Sequence, residues 1–174
     1  MAAAAEHKLT KEEFHARYDG EKPYFEYWNG EAVQKVAPKS VHALVQKLLC
    51  RLLDELGLES ASELELRIDP DYELVPDVIA VEGFLEQPYP TKPFEVVIEI
   101  LSPGDQFSRV LRKCRLYEKW SIRQIVVVDP QNLIVWRFEN GAPAETDVIA
   151  LRGEARLLSA TLWELLEVRI RETR

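Results

Sequence analysis

Residues 96–101 read Val-Val-Ile-Glu-Ile-Leu, and this almost wholly apolar run predicts a strand at the centre of a sheet. Glu99 lies inside the run. Burying a carboxylate costs several kcal/mol unless the group gains a proton, an ion partner or a metal. The fold must therefore cover this strand and also supply Glu99 with a partner.

The remaining periodicity predicts helices around a sheet. Apolar residues recur at helical spacing from residue 41 to 56, which predicts a helix capped by Ser40 and ended by Gly57. Further helices are predicted at 11–18, 106–120 and 161–171, the first and last with capping-box patterns at Thr10–Glu13 and Thr161–Glu164. Strands are predicted at 24–28 and 31–36, joined by Asn29-Gly30, and at 64–68, 78–81, 94–101, 125–128 and 133–138. This order predicts an α/β fold, with a central mixed sheet flanked by helices.

Length and composition predict one domain over residues 1–174, with residues 1–8 flexible. The chain is 47% hydrophobic and 30% charged, which suits a packed core. No stretch approaches the ~18–20 apolar residues of a membrane span, and the start does not resemble a signal peptide. Cys50 and Cys114 suggest neither a disulfide framework nor a zinc cluster. We therefore expect a cytoplasmic protein with no membrane partner.

A second acid, Asp77, stands directly before the apolar residues 78–81. Carboxylates at the ends of adjacent strands can converge on one hard cation, and oxygen ligands suit Mg²⁺ or Mn²⁺. We therefore predict that Asp77 and Glu99 hold such an ion. The alternative is that Asp77 caps a turn and Glu99 forms a salt bridge.

Several short motifs follow one another in a specific order. They are Leu-Thr-Lys-Glu-Glu-Phe at 9–14, Tyr-Phe-Glu-Tyr-Trp-Asn-Gly-Glu at 24–31, Val-Pro-Asp-Val at 75–78, Glu-Ile-Leu-Ser-Pro at 99–103, Lys113 with Tyr117, and Arg-Gln-Ile-Val-Val-Val-Asp-Pro at 123–130. Over residues 9–139 this order resembles the Uma-type restriction-endonuclease-like family of the PD-(D/E)xK nuclease superfamily. The resemblance implies a restriction-endonuclease-like fold, Mg²⁺-dependent hydrolysis of DNA, and Asp77 and Glu99 as catalytic metal ligands.

The resemblance also implies further site residues. Leu101 occupies the position of the usual strand lysine, so Lys113 on the following helix is the catalytic substitute. Arg109 stands where the family commonly has Asp, and Asp105 lies one helical turn earlier. Arg109, Lys113 and Tyr117 are four residues apart and share one helix face. Glu26 is implied as an additional catalytic acid, and His42, Ser102, Arg109 and Tyr117 as accessory residues.

Each of these residues also has a structural interpretation. Glu26 can be one side of a hairpin, His42 an isolated structural histidine, and Ser102 the end of a strand. Lys113 can belong to a solvated basic helix, because the stretch 109–123 contains Arg109, Arg112, Lys113, Arg115, Lys119 and Arg123. Tyr24, Tyr27 and Trp28 suit either base stacking or packing of the hairpin.

The net charge of −8 argues against a general nucleic-acid binder, unless the basic stretch forms a local phosphate-facing patch. Three functions therefore remain open. The first is a Mg²⁺- or Mn²⁺-dependent DNA endonuclease, active as a monomer or a homodimer. The second is a non-catalytic binding or regulatory module with the same fold, favoured by Arg109 and the acidic charge. The third is a metal-dependent enzyme for a small phosphorylated substrate.

Overall fold

The computed structural model describes residues 8–151 and 155–172, so most of the segment expected to be flexible lies outside it. The helices of this part are α1 (Lys11–Tyr18), α2 (Ser40–Glu55), α3 (Phe107–Lys119) and α4 (Ser159–Glu172). Within the described ranges, no helix combines the length and hydropathy needed to cross a membrane.

The strands form three sheets in the described part of the chain. The strands are β1 (Phe25–Trp28), β2 (Glu31–Gln34), β3 (Glu59–Ser62), β4 (Leu66–Asp69), β5 (Tyr72–Leu74), β6 (Val78–Val81), β7 (Val96–Ile100), β8 (Gln124–Asp129), β9 (Ile134–Glu139), β10 (Ala142–Glu145), β11 (Val148–Ala150) and β12 (Arg156–Leu158). The large sheet has the order β10-β9-β8-β7-β6-β3, the small sheet has the order β2-β1-β5-β4, and β11 pairs with β12. Strands β7 and β8 are parallel, whereas β6 and β7 are antiparallel. The predicted α/β class with a mixed sheet is therefore confirmed.

Strand β7 lies in the large sheet, and its side chains are buried on both faces of that sheet. Its Val96, Ile98 and Ile100 join a cluster with apolar residues of α2 and α4. Its Val97 joins a second cluster that contains residues of α3 and of the small sheet. Because side chains alternate between the faces of a strand, Glu99 lies on the same face as Val97. The acid therefore points toward α3 and the small sheet.

The chain connectivity brings the sequence-distant site residues to one end of β7. Val78 pairs with Ile98 in the antiparallel register, so extending this register by one residue places Asp77 beside Glu99. Helix α3 connects β7 to its parallel neighbour β8, as a crossover must. This crossover carries Lys113 back across the face to which Glu99 points.

Helix starts and short strands differ most from the sequence predictions. The capping box at Thr10–Glu13 is confirmed, with the Glu13 amide donating to Thr10 Oγ1 at 3.2 Å. Ser40 is already helical, and Lys39 occupies the cap position without a side-chain hydrogen bond. The cap predicted at Thr161 is wrong, because α4 begins at Ser159. Five strands were not predicted, namely β3, β5, β10, β11 and β12, each only three or four residues long.

The packing of α2 on the sheet predicts a large stability cost for truncating Leu49, which is fully buried. Leu49→Ala should lower the free energy of unfolding by about 2–5 kcal/mol, because transfer energy is lost and a cavity remains. Leu158→Ala, at a side chain that is 48% exposed, is the matched control and should change it by less than about 1 kcal/mol. Urea unfolding followed by circular dichroism measures both, and equal losses would contradict the assignment of α2 to the core.

Candidate active site

The Asp77 carboxylate, directly before β6, is fixed by a lysine and a backbone amide. Lys35 donates from Nζ to Asp77 Oδ1 at 2.8 Å, and also to the Val75 carbonyl at 2.8 Å. The Ile100 amide donates to Asp77 Oδ2 at 2.7 Å, which ties this carboxylate to the end of β7. The side chain is buried. Asp77 is therefore held as an ionised acid in a defined orientation, and it does not cap a solvent-exposed turn.

Glu99 is buried and receives both of its hydrogen bonds on one oxygen. Lys113 Nζ lies 2.7 Å from Glu99 Oε1, and the Tyr117 hydroxyl donates to the same atom at 2.6 Å. Among the residues that the structure describes, none hydrogen-bonds Glu99 Oε2. The predicted spacing of Lys113 and Tyr117 on one helix face therefore brings both side chains to this acid, and the second oxygen is left for another ligand.

Glu26 joins the same group from the small sheet. Its Oε1 lies 2.8 Å from Lys113 Nζ and accepts the Val75 amide at 3.0 Å. Its Oε2 accepts the Trp28 indole N–H at 3.0 Å. The side chain is 1% exposed, so Glu26 is not the solvent side of a hairpin. The Lys113 ammonium thus bridges two buried acids that come from two different sheets.

His42 and Ser102 also line the site. Nδ1 of His42 lies 2.8 Å from Ser102 Oγ, and Nε2 lies 3.5 Å from Asp77 Oδ1. Ser102 follows β7 and begins a turn, as predicted, with its amide donating to Asp105 Oδ2 at 2.6 Å. His42 is buried at the site, which the interpretation as an isolated structural histidine did not anticipate.

These side chains surround a pocket of about 220 Å³. The lining includes the predicted residues Glu26, His42, Asp77, Glu99, Ser102, Arg109 and Lys113, together with Asp105. Tyr117 is not part of the lining and reaches the site through Glu99. Arg109 lies near the mouth, where its guanidinium donates to the Gln34 carbonyl at 3.0 Å.

The electrostatics of the pocket are set by three buried carboxylates and two ammonium groups. Burial opposes ionisation of Glu26, but Lys113 and Lys35 outweigh it and lower the pKa of Glu26. Burial also opposes ionisation of Asp77, yet Lys35 and His42 hold the pKa of that carboxyl well below its usual range. The neighbouring carboxylates keep the pKa of Lys113 above its usual value despite its burial. Lys113 is therefore charged.

Glu99 is the acid that lacks sufficient positive charge. Burial, with a further contribution from the Asp77 and Glu26 carboxylates, raises the pKa of Glu99 to about 7 in spite of Lys113. A divalent cation beside Glu99 Oε2 would supply the missing charge, and hard oxygen donors suit Mg²⁺. Mg²⁺ is commonly held by one or two carboxylates plus water and substrate phosphates. Asp77 and Glu99 therefore fit such an ion.

Lys35 is a site residue that the sequence analysis missed. It follows β2 as one lysine among many, and no local pattern distinguishes it. The long-range pairing of β1 with β5 places it next to Val75 and Asp77.

The basic stretch of α3 is not one continuous surface patch. Lys113 is buried, which overturns its interpretation as part of a solvated basic helix. The Arg112 guanidinium lies 4.6 Å from the Trp28 ring, and Lys119 lies 3.4 Å from Asp69. Tyr27 and Trp28 are buried in the core, so they do not form a base-stacking surface.

Comparison with known proteins gives a family and a fold. The sequence matches the family described as "Uma2: Putative restriction endonuclease" over residues 11–169. The chain is similar in structure to a "putative nuclease belonging to DUF820" from Anabaena variabilis, with 20% identity and a TM-score of 0.77, over 91% of this chain and 99% of that one. It also matches part of DrdV in a complex with DNA, with 17% identity and a TM-score of 0.44, over 73% of this chain and 11% of that one. No curated protein sequence matches. The first of these structures confirms the predicted restriction-endonuclease-like fold.

The raised pKa of Glu99 predicts an unusual pH dependence of stability in metal-free protein. Folded protein keeps the Glu99 proton up to about pH 7, whereas an unfolded Glu loses it near its ordinary value of 4.5. Because the folded state then binds more protons, its stability should fall as the pH rises between these values, by on the order of 3 kcal/mol. Thermal melts in chelator at several pH values measure this slope.

Glu99→Gln should remove that slope and keep or raise the melting temperature at pH 8, because Lys113 retains Glu26 as its partner. It should also abolish divalent-metal binding measured by calorimetry. Unfolding of Glu99→Gln at every pH would instead mean that Glu99 acts only as the structural partner of Lys113.

Proposed function

Since the chain belongs to the Uma2 family, we propose that it is a metal-dependent endonuclease that hydrolyses DNA phosphodiester bonds. The observation that carries this proposal is the pocket where Asp77 and Glu99 meet a buried Lys113 at one end of the central sheet. Such a group of acids and a cation suits attack of water on a phosphodiester, which develops negative charge that must be neutralised.

Asp77 and Glu99 would hold Mg²⁺ or Mn²⁺ in this function. When bound, the ion supplies positive charge at the phosphate and lowers the pKa of a coordinated water. Asp77 contributes an oxygen already oriented by the Ile100 amide, and Glu99 contributes its free Oε2. These orientations reduce the reorganisation that binding requires.

Lys113 is the proposed source of positive charge at the reacting phosphate. Glu26 and Glu99 hold its ammonium 2.8 and 2.7 Å away, so its position is fixed before substrate binds. Glu26 acts through Lys113 and is a positioning residue. His42, held by Ser102, orients the other side of Asp77. Leu101 stands at the position of the usual strand lysine, and in this proposal helix α3 supplies that charge through Lys113.

DNA is the proposed partner. The chain is acidic overall, so binding depends on local cations near the mouth of the pocket. Arg109 lies there with a guanidinium suited to phosphate oxygens. Arg109 replaces the acid that is common at this position in the family, and so adds positive charge near the mouth of the pocket.

A non-catalytic DNA-binding module is the second candidate, and the contacts of Asp77 favour it. Lys35 and the Ile100 amide already occupy both Asp77 oxygens. In this candidate, the two lysines substitute permanently for the metal. The two functions differ in whether the protein binds added metal and whether that metal leads to cleavage of DNA.

Nicking of supercoiled plasmid in Mg²⁺ or Mn²⁺ tests the nuclease. Lys113→Met should lower the rate about 100-fold or more while keeping metal affinity, because the charge at the phosphate is lost. Lys119→Met, on the same helix but with a side chain that is 68% exposed, is the matched control and should retain the rate. Its DNA affinity should weaken slightly and in a salt-dependent manner.

The Asp77→Asn variant is the control for contaminating nuclease, because this substitution should abolish both nicking and metal binding. Equal nicking by the wild type and Asp77→Asn would move the assignment to the non-catalytic module. Loss in Asp77→Asn with full activity in Lys113→Met would keep the nuclease and transfer the charge-stabilising role to Arg109 or Lys35. Circular dichroism of each variant excludes unfolding as the cause.

A further inference from the structure

A second group of ligand-type side chains lies on the other face of the small sheet. Glu73 of β5 pairs with Tyr27 of β1, whereas the pocket residue Glu26 is the neighbour of Tyr27 along the strand. Since adjacent residues of a strand point to opposite faces, Glu73 faces away from the pocket and toward α1. His15 of α1 and Glu65, just before β4, approach it there.

The ligand atoms of His15, Glu65 and Glu73 all lie within 4.8 Å of one another. In the described ranges, no other set of three His, Cys, Asp or Glu side chains meets this limit. His15 Nε2 and Glu73 Oε2 are 3.0 Å apart. Two ligands of one tetrahedral Zn²⁺ at bond lengths of about 2.0–2.1 Å are roughly 3.3 Å apart. The separation is thus near that of two donors on one cation.

Glu73 itself points to a missing ligand. Its side chain is 3% exposed, and Lys11 Nζ holds Oε1 at 2.8 Å. Oε2 is buried and accepts no hydrogen bond from the residues described, and its nearest charged neighbour is His15, an ion partner only when the imidazole is protonated. A buried charged oxygen that accepts no hydrogen bond is costly. A cation between Glu73 Oε2 and the His15 imidazole would therefore stabilise this oxygen.

We propose that His15, Glu65 and Glu73 bind a divalent transition-metal cation of the Zn²⁺ type. One imidazole nitrogen and two carboxylates are ligands that Zn²⁺ accepts, whereas Mg²⁺ prefers oxygen alone. Lys11 on Glu73 and Arg67 on Glu65 each hold one carboxylate oxygen and leave the other for the ion. His15 and Glu65, although not Glu73, line a cavity of about 200 Å³ that has room for water beside these two ligands.

Such an ion would fasten α1 to the small sheet. Helix α1 is only eight residues long, and Phe14 is its one fully buried residue among those described. A bond from His15 to a cation shared with Glu73 adds a fixed contact between this helix and β5. Because the ion would bind the folded chain alone, it stabilises that state.

Equilibrium dialysis with Zn²⁺ tests the site by counting ions per chain. Wild-type protein should bind one more Zn²⁺ than His15→Gln or Glu65→Gln, whatever the pocket of Asp77 and Glu99 takes up. Glu12→Gln removes an exposed acid of α1 and is the matched control, with a count equal to the wild type. Zn²⁺ should also raise the melting temperature of the wild type more than that of His15→Gln.

Equal Zn²⁺ counts for the wild type, His15→Gln and Glu65→Gln would overturn the proposal. So would an equal loss in Glu12→Gln, which would indicate general attraction to surface acids. Both site variants change side chains that are partly exposed, and circular dichroism verifies their folding. The plasmid assay is not needed, so this site and the proposed nuclease can fail independently.

Discussion

The arrangement of the site depends on the two ion pairs that the Lys113 ammonium forms with Glu26 and Glu99. They connect α3, the central strand β7 and the small sheet through charged hydrogen bonds inside the protein. Three buried ionic groups would each be costly alone, and their proximity offsets part of that cost. Removing Lys113 would leave Glu26 and Glu99 without their shared ammonium, so this lysine links the small sheet to the large one.

The same charges leave one acid incompletely neutralised, and this connects stability with function. Glu99 carries the remaining cost because Lys113 is shared and Asp77 is paired with Lys35. A site that is less stable without its ligand is suited to bind that ligand, since binding energy can relieve an existing cost.

Local patterns explain which parts of the structure could be predicted from the sequence. The acid within the apolar run at 96–101 predicted a buried central strand, and the four-residue spacing of Lys113 and Tyr117 predicted their shared face. Lys35 could not be found in this way, because its role depends on how the small sheet pairs with distant β5. The same reason applies to strands such as β5, whose three residues form a strand through pairing and not through their own propensity.

A charge supplied by a helix has a consequence for how this sequence can vary in length. Successive residues of an α-helix are about 100° apart around its axis. Insertion of one residue between Phe107 and Lys113 would therefore turn the ammonium away from Glu26 and Glu99, although every residue of the site would still be present. The turn at Ser102–Asp105 lies outside the helix and is free of that rotational constraint. We therefore expect a length change between Ser102 and α3 to rotate Lys113 less than a length change within the helix.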